Sequence, residues 1–203
     1  MRTVFTLLCC IMAALLSANA QSNNDEHIKK IQQAYQSRLA LMQNQPYDDI
    51  KVEQMSVSYN RMYPGTGLYR HTDTYYWLDD EDEEYMLRPR LYFVTSRYSL
   101  CHDRYRFYRE YLFDAETGEP MFMLLTTQLH DDVGSRREYR FYFHNGRIIR
   151  QIPAKIEIPD SPDSPDFIMP DIDIDPARLE SGLLMEFSNV KQIFDRNVPT
   201  MAW

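Results

Sequence analysis

The chain has 203 residues, of which 44% are hydrophobic and 26% charged, with a formal net charge of −8, six glycines and three cysteines. The apolar share excludes a disordered chain, the glycine count excludes a collagenous one, and the mean hydropathy of −0.53 excludes a multi-pass membrane protein. The acidic sum argues against a nucleic-acid binder, which needs a basic footprint.

The first twenty residues read as a secretory signal peptide. Arg2 supplies the positive charge, Val4 to Leu16 the apolar stretch, and Ser17-Ala18-Asn19-Ala20 the small-x-small ending. Cleavage after Ala20 is expected, which leaves 21–203 as one α+β domain. A lipoprotein signal fits less well, because Leu8 before Cys9 is too large for the small position that such a signal carries. Cys9 and Cys10 leave with the leader, so Cys101 is expected to stand alone without an intramolecular disulfide. No later segment approaches the ~20 apolar residues of a membrane span, and no Asn-x-Ser/Thr sequon occurs. The expected compartment is the periplasm or exterior of a Gram-negative bacterium.

Residues 25–43 follow, with Ile28, Ile31, Tyr35, Leu39 and Met42 at helical spacing, Asn24 or Asp25 placed to cap, and Pro46 as a stop. From there to about residue 153 the period is two. Strands are predicted near 50–62, 67–78, 86–99, 103–114, 120–130, 136–144 and 147–152, separated by turn clusters. Asn145-Gly146 between two alternating runs predicts a two-residue type I′ hairpin. Connections this short make antiparallel neighbours, hence a seven-stranded meander. Residues 159–175 form an extended Pro/Asp-rich tether. A second helix starts at Asp175-Pro176, carries Leu179, Leu183, Phe187, Val190 and Phe194 on one stripe, and closes at Pro199. Both helices are expected to pack on one face of the sheet.

Two hairpins echo each other: Glu110-Tyr111-Leu112-Phe113-Asp114 leads into Gly118, and Tyr139-Arg140-Phe141-Tyr142-Phe143 leads into Gly146. Through this pattern of aromatic-x-Phe strand, polar glycine turn and short apolar strand, 105–152 resembles uncharacterised exported proteins of Bacteroides-type bacteria. The resemblance implies compartment and sheet topology and carries no activity with it.

Cys101-His102-Asp103 has the residue types of a nucleophilic site, but strand neighbours point to opposite faces and catalytic partners converge from separate elements. His27, His71, His130 and His144 show no metal-ligand spacing. The acidic run 79–84 offers oxygens to calcium, as does Asp171-x-Asp173-x-Asp175, which has Pro176 and Gly182 where a calcium loop places glycine and glutamate. Solvated acidic loops explain both, and neither a metal nor a cofactor is expected.

Charge is segregated. Residues 88–150 hold eleven arginines, no lysine and eight acids, a balance of +3, whereas 21–87 and 151–203 each carry −6. Arginine without lysine suits bidentate pairing with carboxylates and stacking on tyrosine, so the acidic flanks are expected to lie across the sheet. Strand alternation places Tyr105, Phe107, Arg109, Tyr111 and Phe113 on one face. Pairing through Asn145-Gly146 then sets Phe143 opposite Ile148, Phe141 opposite Arg150, and Tyr139 opposite Ile152. Arg109 and Arg150 would meet among aromatics on the core face, where a desolvated guanidinium needs either a carboxylate or an anionic ligand. Arg109, Arg150, Tyr111 and Phe141 are therefore candidate binding residues. Tyr75 and Trp77, sharing one face of their strand, form a candidate aromatic platform for a sugar ring.

These readings favour a non-catalytic exported binding or interaction module over two other classes: a carrier holding a lipophilic or anionic small ligand in a curved sheet, and a hydrolase using Cys101 or His102. The partner would be a small ligand, a glycan or an envelope protein, and not a nucleic acid.

Overall fold

The computed structural model describes residues 24–38, 52–65, 67–81, 86–100, 105–129, 136–152, 176–198 and 201–202. The leader, the tether, Cys101-His102-Asp103, His130 and Asp171 to Asp175 lie outside them. So do Leu39 and Met42, the last two positions of the first helical stripe.

The alternating stretches form seven strands: β1 (Val52–Tyr63), β2 (Gly67–Glu81), β3 (Met86–Leu100), β4 (Tyr105–Phe113), β5 (Pro120–Leu129), β6 (Arg136–His144) and β7 (Arg147–Ile152). Each pairs antiparallel with the next, in the order β1 to β7, as the short connections require. Helix α1 occupies 24–38 and helix α2 Pro176–Asn197. A two-residue strand, β8 (Met201–Ala202), pairs with Met86 and Leu87 at the start of β3, an addition that no periodicity announces. The mixed α+β meander is the expected fold. Asn145 (φ 50°) and Gly146 (φ 69°) both take the left-handed conformation that a type I′ turn demands.

The helices lie on opposite faces, which corrects the expectation of one shared face. On one side, Leu183, Phe187, Val190 and Phe194 of α2 pack on Tyr75, Trp77, Leu91, Val94, Tyr111, Phe113, Met123, Phe141 and Phe143. On the other, Ile28 and Ile31 of α1 pack on Phe93, Leu112, Phe122, Leu124 and Tyr142. The physical reason is in the central strands. Tyr111-Leu112-Phe113 and Phe141-Tyr142-Phe143 are apolar at every position, so both faces need cover, and a pattern of that kind marks a strand buried on two sides. Phe187 sits at the centre of the α2 side, edge-on to Tyr111, Phe113 and Phe143 at ring distances of 5.2–5.3 Å.

Both helices cover the same end of the sheet. Along β4, Glu110 to Phe113 lie under helix, whereas Arg106 to Tyr108 come before the helices reach the strand. That end of β2, β3, β4 and β5 has no described helix on either face.

Candidate functional site

Register decides what collects at the uncovered end. Arg70 of β2, Ser99 of β3 and Arg106 of β4 form one cross-strand rung, and Thr72, Arg97, Tyr108 and Thr126 form the next. Directly opposed residues share a face. Tyr108 packs with the α1-side cluster, so both rungs face the α1 side. They line an open groove of about 650 Å³. Arg70, Arg97 and Arg106 are exposed, and no carboxylate among the described residues lines the groove. The Arg97 guanidinium lies 5.4 Å from the centre of the Tyr108 ring, a cation–π arrangement. Thr126 is only 6% exposed, and its hydroxyl has no hydrogen-bond partner.

The groove begins where α1 is clamped. Glu110, buried on β4, accepts hydrogen bonds from Arg38 Nη2 of α1 at 2.7 Å, from Tyr108 at 2.6 Å and from Tyr35. The Arg38 guanidinium also donates to the Tyr35 carbonyl and lies over the Phe93 ring at 4.6 Å. Burial, and then the hydrogen bond to Glu110, push the hydroxyls of both Tyr35 and Tyr108 well above the usual tyrosine range. This ion pair inverts the expected polarity: the acidic flank supplies the arginine and the arginine-rich sheet supplies the acid.

On the α2 side the same end of the sheet is aromatic. His71 Nε2 meets Asp73 Oδ1 at 2.7 Å and Ser96 Oγ at 3.0 Å, while Nδ1 meets the Tyr59 and Tyr69 hydroxyls at 2.6 and 2.8 Å. In the neutral ring Nε2 carries the hydrogen toward Asp73, and Nδ1 is left to accept from the phenols. Asp73 and Ser96 thus share one ring nitrogen. A Ser-His-Asp relay needs them on opposite nitrogens, so this is not that geometry. Tyr98 stacks on Phe107 at 4.5 Å.

The residues singled out from sequence fall elsewhere. Arg109 is paired: Nη1 donates to Glu186 Oε2 of α2 at 2.7 Å and Nη2 to the Tyr98 hydroxyl at 2.8 Å. Its carboxylate partner comes from the acidic C-terminal flank, so no anionic ligand is needed to neutralise it. Arg150 is exposed and stands opposite Tyr142, not Phe141, because a bulge at Tyr142/Phe143 shifts the register after the expected Phe143–Ile148 pair. Ile152 accordingly faces Arg140 instead of Tyr139. The shift moves Arg150 to the α1 side, away from Arg109. Tyr111 and Phe141 are core residues, 2% and 3% exposed. Tyr75 and Trp77 are buried against Phe194 and form no surface platform.

The groove residues missed in the sequence had a partial signal. Arg104-Tyr105-Arg106-Phe107-Tyr108-Arg109 interleaves arginine with aromatics, and alternation splits it, sending Arg106 and Tyr108 to one face and Phe107 and Arg109 to the other. Arg70, Arg97 and Thr126 lie too far away in sequence to be grouped with them without the register. Compared with known proteins, the chain matches no family model, no curated protein and no solved structure.

Proposed function

We propose that this protein is a non-catalytic exported binding module whose site is the arginine-lined groove on the α1 side, and that its ligand is anionic. The observation that carries the reading is the convergence of exposed Arg97 and Arg106, from two adjacent strands, on one open cavity with no described carboxylate among its walls. Guanidinium forks match the geometry of carboxylate, sulfate and phosphate oxygens. A cavity of about 650 Å³ falls within the range of small-ligand sites. Export rests on the leader pattern of residues 1–20. The carrier alternative needs room beside the central strands, and both faces of those strands are filled by helix.

Titration of the purified protein with inorganic sulfate, followed by NMR at the arginine side-chain N–H groups, tests this. The signals of Arg97 and Arg106 and the Thr126 amide should move together and saturate, and an Arg97→Ala/Arg106→Ala double variant should lose the response. Equal shifts at Arg150 and at the groove arginines would mean surface screening and would sink the reading.

A further inference from the structure

We infer, independently of the groove, that the outer edge of β1 is a dimerisation surface, which pairs antiparallel with β1 of a second copy of this chain about a two-fold axis at Val57. β1 and β7 end the meander, and among the described strands none pairs with the outer edge of β1. Every second residue of such a strand aims its N–H and C=O outward. Glu53, Gln54, Ser56 and residues 58–63 are all exposed. Of the five exposed large hydrophobics among the described residues, three stand on this strand: Tyr59, Met62 and Tyr63.

The two edges are protected differently. β7 is six residues long, its pairing with β6 is broken by a bulge, and it exposes Arg147 and Arg150. Short length, a bulge and charge are devices that keep an edge from recruiting another strand. β1 is 12 residues long and pairs with β2 through 12 consecutive positions without a bulge. It holds neither proline nor lysine. An edge of ~40 Å is thus left regular and open.

The residues of β1 complement their own reversal. A regular antiparallel ladder opposes outward-facing residues to outward-facing ones, so a symmetric pair sets one residue opposite itself. With Val57 there, Met55 opposes Tyr59, Glu53 opposes Arg61, Ser56 opposes Ser58 and Gln54 opposes Asn60. Apolar meets apolar, acid meets base, and neutral polar meets neutral polar. An axis through Ser58 would set Met55 opposite Arg61, and one through Ser56 would set Glu53 opposite Tyr59. Parallel pairing in register would set Arg61 against Arg61. The preference needs only the signs of the charges, whatever else Glu53 contacts within its own chain. Met55 and Val57 already pack at the margin of the α2-side core. The second copy extends that apolar layer across the axis, while Gln54, Ser56, Ser58 and Asn60 stay on the solvated face.

Sedimentation equilibrium of the purified protein tests this. The mass should rise from one chain toward two between about 1 and 200 µM. Glu53→Arg and Arg61→Glu each set like charges across the axis and should each weaken the dimer several-fold, and the two together should restore it. Thermal midpoints of the dilute monomer separate a lost interface from a damaged fold. Should either single variant fail to fold, Ser56→Lys/Ser58→Lys, at exposed positions, sets lysine opposite lysine and should dissociate the dimer in the same way. Hydrogen exchange followed with concentration should slow at alternate amides of β1 and leave β7 unchanged. A single-chain mass at the highest concentration would overturn the second copy as occupant and leave the edge to an extended segment of another protein. Dimerisation that ignores the charge reversals, or exchange that slows elsewhere than at β1, would put the interface on another surface and equally overturn the inference.

Discussion

The two ends of the sheet are built from the same strands and do different work. At the covered end, β4 presents Tyr111, Leu112 and Phe113 to helices on alternate faces, all three at most 2% exposed. At the other end, β4 presents Arg106 and Tyr108 to a groove, and Phe107, which also borders that groove, stacks on Tyr98. The strand period does not change between the two. What changes is whether one of the described helices stands above it, and with that whether the strand presents closely packed apolar side chains or exposed arginines. Glu110 and Arg38 mark the border. They join the last described turn of α1 to the first covered position of β4, and beyond them Arg106 and Tyr108 line the groove.

The largest break in this contrast should come from the covered end. Phe187→Ala removes a ring that touches three others on the α2 side, and large-to-small changes at such sites cost about 3–5 kcal/mol. Urea unfolding should show that loss with little change in the slope of the transition. Glu110→Ala at the border should cost about 3–5 kcal/mol, because it leaves Arg38, 2% exposed, as a buried charge without its carboxylate. Replacing both members by apolar residues of similar volume should recover most of that loss, which would identify the pair as a device for placing α1 and not as a source of net stability.

Alkali should act on the same region. Tyr35, Tyr75, Tyr108 and Tyr111 are all raised above the ordinary tyrosine range, burial being the first cause in each. A raised folded-state pKa means that the folded protein holds these protons more tightly than the unfolded chain. Their contribution is complete below about pH 10, the unfolded value, and is lost progressively above it. Thermal midpoints measured across pH 8 to 11 should be flat and then fall, and a continued plateau past pH 10 would contradict the burial of these hydroxyls.

Smaller effects belong to the margins. Glu186→Gln breaks the Arg109 pair on the α2 side, where the partners are 23% and 31% exposed, and should cost about 1 kcal/mol or less. Arg106→Ala at the uncovered end should change stability by no more than ~0.5 kcal/mol, the usual scale for surface substitutions. If it destabilised as much as Glu110→Ala, the uncovered end would be part of the core and the division drawn between the two ends would be wrong.

Much of the fold was legible in the sequence because it rests on local chemistry. The two-residue period marks all seven strands. Asn145-Gly146 prefers the left-handed conformations of its hairpin, and the stripe from Leu179 to Phe194 appears as one buried face of α2. Charge segregation was also legible, and Arg109–Glu186 is one contact between the arginine-rich sheet and an acidic flank. The site was not legible. Arg150 was placed by counting back from a turn, and one bulged residue moved it to the other face, because a period of two turns any single insertion into a change of side.

The sequence alone determined which segments are strands and helices and where charge accumulates, since propensity, turn chemistry and composition act over a few residues at a time. Tertiary structure decided which helix covers which face, which arginine meets a carboxylate, and that Arg70, Arg97, Arg106 and Thr126 share one groove. Those outcomes depend on strand register and bulges, which bring together positions up to 56 residues apart. No local pattern carries that information, because the free energy that sets the register comes from burying both faces of the sheet at once.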